Sequence, residues 1–126
     1  MTKTQVTTSG SPRPAGPYSQ GIVAGGFLFT AGVGPQDPVT GEKAVGVGDQ
    51  TRQVLRSLSA VLEAAGATMD DVVKVTAHLQ DLKSDFAEFN KAYSEFFTAP
   101  YPVRTTVGST LNDILVEIDF VVKLPD

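Results

Sequence analysis

The chain has no cysteine and a single histidine, and its basic residues are outnumbered, ten against fourteen acidic, for a formal charge of −4. Without thiols there are no disulfides, thiolate nucleophiles, iron–sulfur clusters or cysteine-ligated zinc, and the redox compartment stays open. One histidine, His78, cannot build a multi-histidine metal site and leaves a Ser-His-Asp triad one possible base. Metal chemistry would need carboxylates alone, and no cofactor is expected. No Lys/Arg run occurs, and phosphate neutralisation is what drives non-specific binding of nucleic acid, so such a partner is not expected. No apolar run approaches a membrane span, and the start Met1-Thr2-Lys3-Thr4-Gln5 lacks the apolar core of a signal peptide. A soluble cytoplasmic protein is the expectation.

Residues 1–126 suit one domain, which by surface scaling buries roughly two-thirds of the area exposed by the unfolded chain. Thr2 to Thr8 alternates as a short edge strand, and the prolines of Ser9 to Pro17 impose an irregular loop. Gly25-Gly26 is a tight-turn dipeptide, which predicts a hairpin from about Gln20 to Ala31. Gly32 to Glu42 is a loop. It lacks the lysine and helix start of a phosphate-binding loop, and Pro35 blocks a dinucleotide-type turn.

Val54, Leu58, Val61, Leu62 and Ala65 recur at helical spacing, predicting a helix from about Asp49, as its cap, to Ala65, stopped by Gly66. Val72 to Leu79 alternates as a half-buried strand, Val73, Val75, Ala77 and Leu79 against Lys74, Thr76 and His78, with His78 on its polar face beside Lys74, Thr76 and Gln80, none of which is a carboxylate. A second helix is expected from Asp85, at capping-box offset from Glu88, to Phe97. Its aromatic stripe of Phe86, Phe89, Tyr93, Phe96 and Phe97 reads as core. Asn90 points to that inner face, where an amide must find a partner or cost about 1–3 kcal/mol.

Two late strands carry the chemistry. In Tyr101 to Val107 the two-residue period puts Val103, Thr105 and Val107 on one face and Arg104 and Thr106 on the other; in Leu115 to Leu124, Glu117 and Asp119 share a face. Were these strands sheet neighbours, the arginine fork and a carboxylate would meet in one pocket, the fork holding a carboxylate ligand and Glu117 a water or proton. The plainer reading is a solvated cross-strand pair worth under about 1 kcal/mol. The element order implies an α+β or α/β layer with two helices on one face of a mixed sheet. Lys74, Thr76, His78, Arg104, Thr106, Glu117 and Asp119 are expected on the other face beside apolar Val72, wet in a monomer or buried between subunits.

The chain resembles the Rid family, also called YjgF or reactive-intermediate deaminases. The resemblance rests on Gly16 to Gly21, Gly32 to Pro38 with Thr40-Gly41-Glu42, Glu63 to Gly66, Asp71 to Thr76, Leu79 to Leu82, Phe89 to Tyr93 with Phe96-Phe97, Tyr101 to Arg104 and Val116 to Asp119. It implies an α+β, chorismate-mutase-like fold and a homotrimer whose sheets form a central barrel, with ligand clefts between subunits. It also implies cofactor-free hydrolysis of 2-imino and 2-enamino acids. Carried over by position, Arg104 would clamp the substrate carboxylate, Glu117 would orient water and manage protons, Tyr18 would close the cleft, and Asn90 would support it. Thr106 and Ala31 would complete the binding site; Thr106 stands where a cysteine is common, Ala31 where a serine is, and Val33 where a glutamine is. A non-catalytic trimer that binds small carboxylates or acts as a chaperone is the alternative, and a ribonuclease ranks last.

Overall fold

The structure, a computed structural model, describes residues 2–126. Among these, β1 (Thr4–Val6), β2 (Gly21–Ala24), β3 (Phe27–Thr30), α1 (Val47–Ala64), β4 (Val72–Leu79), α2 (Leu82–Ser94), β5 (Val103–Gly108) and β6 (Val116–Lys123) follow in order. The strands form one sheet in the order β1-β2-β3-β6-β4-β5. Only β4 and β5 run parallel; the other neighbours are antiparallel, so the sheet is mixed.

Alternation sends Val75, Ala77 and Leu79 of β4 and Val116, Ile118, Phe120 and Val122 of β6 into one buried cluster. There they meet Val54, Leu55, Leu58, Val61 and Leu62 of α1 and Phe89, Tyr93 and Phe97 from α2 and just beyond it. Both helices therefore cover one face. Each fully buried aliphatic or aromatic side chain contributes about 1.5–3 kcal/mol. The opposite face is open in the single chain, where Phe29, Val103 and Val107 are exposed.

The hairpin forms as expected, with Gly25 and Gly26 at φ 59° and 83°, a turn that side chains disfavour. Helix α1 starts at Val47, two residues before the predicted cap. Gly46 occupies the cap at φ 87°, and Asp49 lies inside the first turn, its carboxylate accepting from Arg52 Nη1 at 2.8 Å. Helix α2 starts at Leu82 rather than Asp85 and has no side-chain cap bond; Asp85 instead donates its backbone N–H to the Asp81 carbonyl at 2.9 Å. The late strands are not neighbours, because β4 lies between β5 and β6.

Gln20, buried at the start of the hairpin, holds the proline-rich loop. Its Nε2 donates to the carbonyls of Thr8 at 3.0 Å, Ser11 at 3.2 Å and Pro12 at 3.0 Å, and its Oε1 accepts from the Thr8 N–H at 2.7 Å. A Gln20→Leu chain should lose these bonds and strand buried carbonyls, lowering stability by about 2–4 kcal/mol. Chemical denaturation with an unchanged m-value is the measurement, and a loss below about 1 kcal/mol contradicts the role.

Candidate active site

Arg104 lies on β5, an edge strand, and its register partner on β4 is the buried Val75. Register partners share a face, so its side chain runs along the helix-covered side of the sheet. There its Nη2 donates to Asn90 Oδ1 at 2.7 Å, which is the partner the inward-facing amide requires. The guanidinium also stands over the rings of Tyr93 at 4.7 Å, Phe89 at 5.2 Å and Phe86 at 5.9 Å. Part of the aromatic stripe is thus a cradle for the cation, each ring attracting it by about 0.5–2 kcal/mol.

Among the described residues no carboxylate lies within ion-pair reach of Arg104. Burial pushes the Tyr93 hydroxyl up to about 12, with the Arg104 charge acting against that shift. Thr106 follows Arg104 on the same face, and its hydroxyl, like that of Tyr93, is buried without a partner.

Glu117 occupies the opposite side. Its register partner is His78, on the open face, and it lines a cleft of about 580 Å³ together with Tyr18, Ala31, Gly32, Val33 and Ile114. The walls come from the loop after β1 and the loop after β3, and Tyr18 stands half-exposed at the rim with its Oη accepting from the Ala15 N–H at 3.0 Å. The Glu117 carboxyl leans over Gly32 so closely that a Cβ added there would lie 3.0 Å from its Cδ and 3.1 Å from its Oε2. Among the described residues no donor bonds that carboxyl. Ala31 and Val33 themselves contribute no side-chain hydroxyl or amide to the lining.

The expected residues thus form two groups. Arg104, Asn90 and Thr106 belong to one side of the sheet, and Tyr18, Ala31 and Glu117 to the other. The expectation that Arg104 and Thr106 share the open face with Lys74, Thr76, His78, Glu117 and Asp119 is not met. It is Val103, Thr105 and Val107 that face outward, with Val103 67% exposed. Alternation was correct; the side assigned to it was not.

His78 departs from expectation too. Carboxylates do neighbour it, supplied by β6: Glu117 directly opposite and Asp119 two pairs along on the same face, opposite Thr76. Burial raises the Asp119 carboxyl, while the charges of His78 and Lys74 pull it down. The structural roles of Gln20 and Gly32 also escaped the sequence. A glutamine directly ahead of a hairpin and a glycine at its exit were the available signals.

Residues 8–124 match the model of the family described as Endoribonuclease L-PSP. A RutC family protein of Pyrococcus horikoshii is 48% identical over 120 residues, covering 93% of this chain and 94% of that one. The 2-iminobutanoate/2-iminopropanoate deaminase of Escherichia coli is 40% identical over 124 residues, covering 94% of this chain and 95% of that one. The solved structure of Escherichia coli TdcF with bound serine is similar with a TM-score of 0.92 at 35% identity, over 97% of this chain and 99% of that one.

Proposed function

The chain belongs to the Rid (YjgF) family, described also as Endoribonuclease L-PSP, and from that premise we propose that it hydrolyses 2-imino and 2-enamino acids to 2-oxo acids and ammonia in clefts between copies of itself. The observation that carries this reading is the division of the site. Among the described residues, Arg104 has a fork without a carboxylate partner on one side of the sheet, and Glu117 has a carboxyl without a donor on the other.

An edge strand with Val103 exposed and Tyr101 exposed just before it, and an open face with Phe29 and Val107 exposed, favour contact with further copies. A homotrimer closed around those faces brings the Arg104 of one chain to the Glu117 cleft of the next. Each chain then contributes half of every site.

Arg104 binds the substrate carboxylate, its remaining donors matching the two oxygens, while Asn90 and the ring faces fix the fork. Glu117 orients a water toward C2. The water oxygen bonds to C2 as the imine nitrogen is protonated, giving a carbinolamine; the C–N bond then breaks, the C2 hydroxyl loses its proton, and ammonia leaves the 2-oxo acid. An imine is already an activated electrophile, so positioning and one proton relay suffice. The serine bound in TdcF and the name of the Escherichia coli deaminase support a small amino-acid-like carboxylate as ligand.

Imino acids generated by an amino-acid oxidase or a serine/threonine dehydratase should release ammonia faster with this protein than in buffer. Equal rates sink the deaminase. Gly32→Ala should displace the Glu117 carboxyl and reduce turnover about tenfold while leaving the melting temperature nearly unchanged, since only the tip of a flexible side chain must move. Normal turnover in that variant would separate the Glu117 position from the chemistry.

The apolar floor at Ala31 and Val33 favours a second reading, a trimer that binds small carboxylates without turnover or that holds other proteins. It predicts thermal stabilisation by a 2-oxo acid, or suppression of aggregation, with no ammonia. A ribonuclease is favoured by no feature of the cleft, whose one cation among the described residues is Arg13 and whose lining lacks the chain's histidine.

A further inference from the structure

The cleft that holds Glu117 has a wall that the proposed chemistry does not use. Ser11 and Arg13 line it, on the proline-rich loop ahead of Tyr18. That loop is pinned: Gln20 Nε2 donates to the carbonyls of Ser11 at 3.2 Å and Pro12 at 3.0 Å. Pro12 and Pro14 flank Arg13, each with a fixed φ, and Pro14 restricts Arg13 itself to extended backbone. An exposed arginine is thus carried over the cleft on a backbone with little freedom. Among the described residues its guanidinium has no ion-pair partner, although Asp37 and Glu117 line the same cleft. Asp37 is committed elsewhere. Its Oδ1 accepts from the N–H groups of Thr40 at 2.9 Å and Val39 at 2.8 Å, bonds that hold the carboxyl below the usual range. Ser11 is only 3% exposed, and its hydroxyl is buried without a partner among the described residues.

We propose that Arg13, with Ser11 beside it, is a specificity-determining residue that binds a second carboxylate on the substrate's side chain, so that the cleft favours imines of dicarboxylic amino acids over those with uncharged side chains. This rests on the hydrolysis proposed above. There the first carboxylate goes to the Arg104 of a neighbouring copy and the water to Glu117, which leaves the side chain of the imino acid as the part that reaches the proline-rich loop. A carboxylate fits an unpaired guanidinium fork bidentately, and a serine hydroxyl can donate to the same oxygens. An aliphatic side chain would leave both groups unengaged. The space agrees: a cleft of about 580 Å³ is of the size that takes a drug-sized ligand, far more than the smallest imino acids fill.

Binding can be read without turnover. 2-Oxoglutarate and 2-oxobutanoate share the 2-oxo carboxylate head and differ in the second carboxylate. Calorimetric titration of the full-length protein should give 2-oxoglutarate a Kd about fivefold lower, the scale of one partly exposed ion pair. Arg13→Ala should bring the two acids within about twofold of each other by weakening 2-oxoglutarate alone, and Arg13→Glu should reverse their order. Parent affinities that already agree within about twofold overturn the proposal. So does an Arg13→Ala loss shared equally by both acids, which would make Arg13 a steering charge for any anion. Turnover supplies the second readout: kcat/KM for imines that amino-acid oxidases produce from aspartate and from leucine should show the same Arg13-dependent preference. If neither imine is hydrolysed, the deaminase reading fails, and the ratio of the two affinities still decides the role of Arg13.

Discussion

Replacing Arg104 by alanine is expected to lower kcat/KM for imino-acid hydrolysis about 100-fold or more. A charge-assisted contact with a carboxylate contributes about 1.5–3 kcal/mol per bond, and the fork offers a substrate two of them. Three kilocalories correspond to about 150-fold. Arg104→Lys keeps the charge and most of the stem over Tyr93 and Phe89 but loses the planar fork. It should remain folded, with KM raised about tenfold and kcat less affected. Asn90→Ala should fall between the two, because it frees the Nη2 that Asn90 now fixes at 2.7 Å. Turnover unaffected by Arg104→Ala would remove the carboxylate clamp from the mechanism.

Mixing two inactive variants should restore activity. In one chain Arg104 and Glu117 face opposite sides of the sheet, so in the proposed ring each cleft would take its arginine from one copy and its glutamate from another. Arg104→Ala and Glu117→Gln proteins, unfolded together in equal amounts and refolded, should produce closed rings in which about one cleft in four receives an intact residue from each side. About a quarter of parental activity is therefore expected, against almost none for either variant alone. Recovery no greater than the sum of the two variants would mean that each site lies within one chain. Mass measurement in solution checks the ring itself: three copies are expected, and Val103→Asp, which places a charge on the exposed edge strand, should release single chains that have lost turnover.

Local periodicity made much of the fold legible. The run Val72 to Leu79 predicted the bounds of β4, although a bulge between Val72 and Lys74 turns Val72 into the core and leaves Val73, expected inside, exposed; the α1 stripe and the Gly25-Gly26 turn were equally readable. Helix starts were less so. Gly46 at positive φ, rather than Asp49, begins α1, because a glycine that can adopt this conformation sets the chain direction before any side chain can cap it. The spacing of Asn90 among the α2 aromatics implies an inward amide that needs a partner, and that partner is Arg104. The Gln20 bonds and the carboxylates near His78 were not legible. They join residues 8–12 to 20 and β4 to β6, distances along the chain that no local pattern spans.

By itself the sequence determined which side chains travel together: Arg104 with Thr106, Glu117 with Asp119, the aromatics of α2 with Asn90. It also excluded thiol chemistry and any site requiring several histidines. Only the tertiary structure decided which side each set faces, by inserting β6 between β3 and β4 and leaving β5 at the edge. The physical reason is that alternation repeats every two residues whichever way a strand is turned, whereas the side it presents is set by what the whole sheet must bury. Val75 and Phe120 had to meet the helices, and Arg104, in register with Val75, went with them.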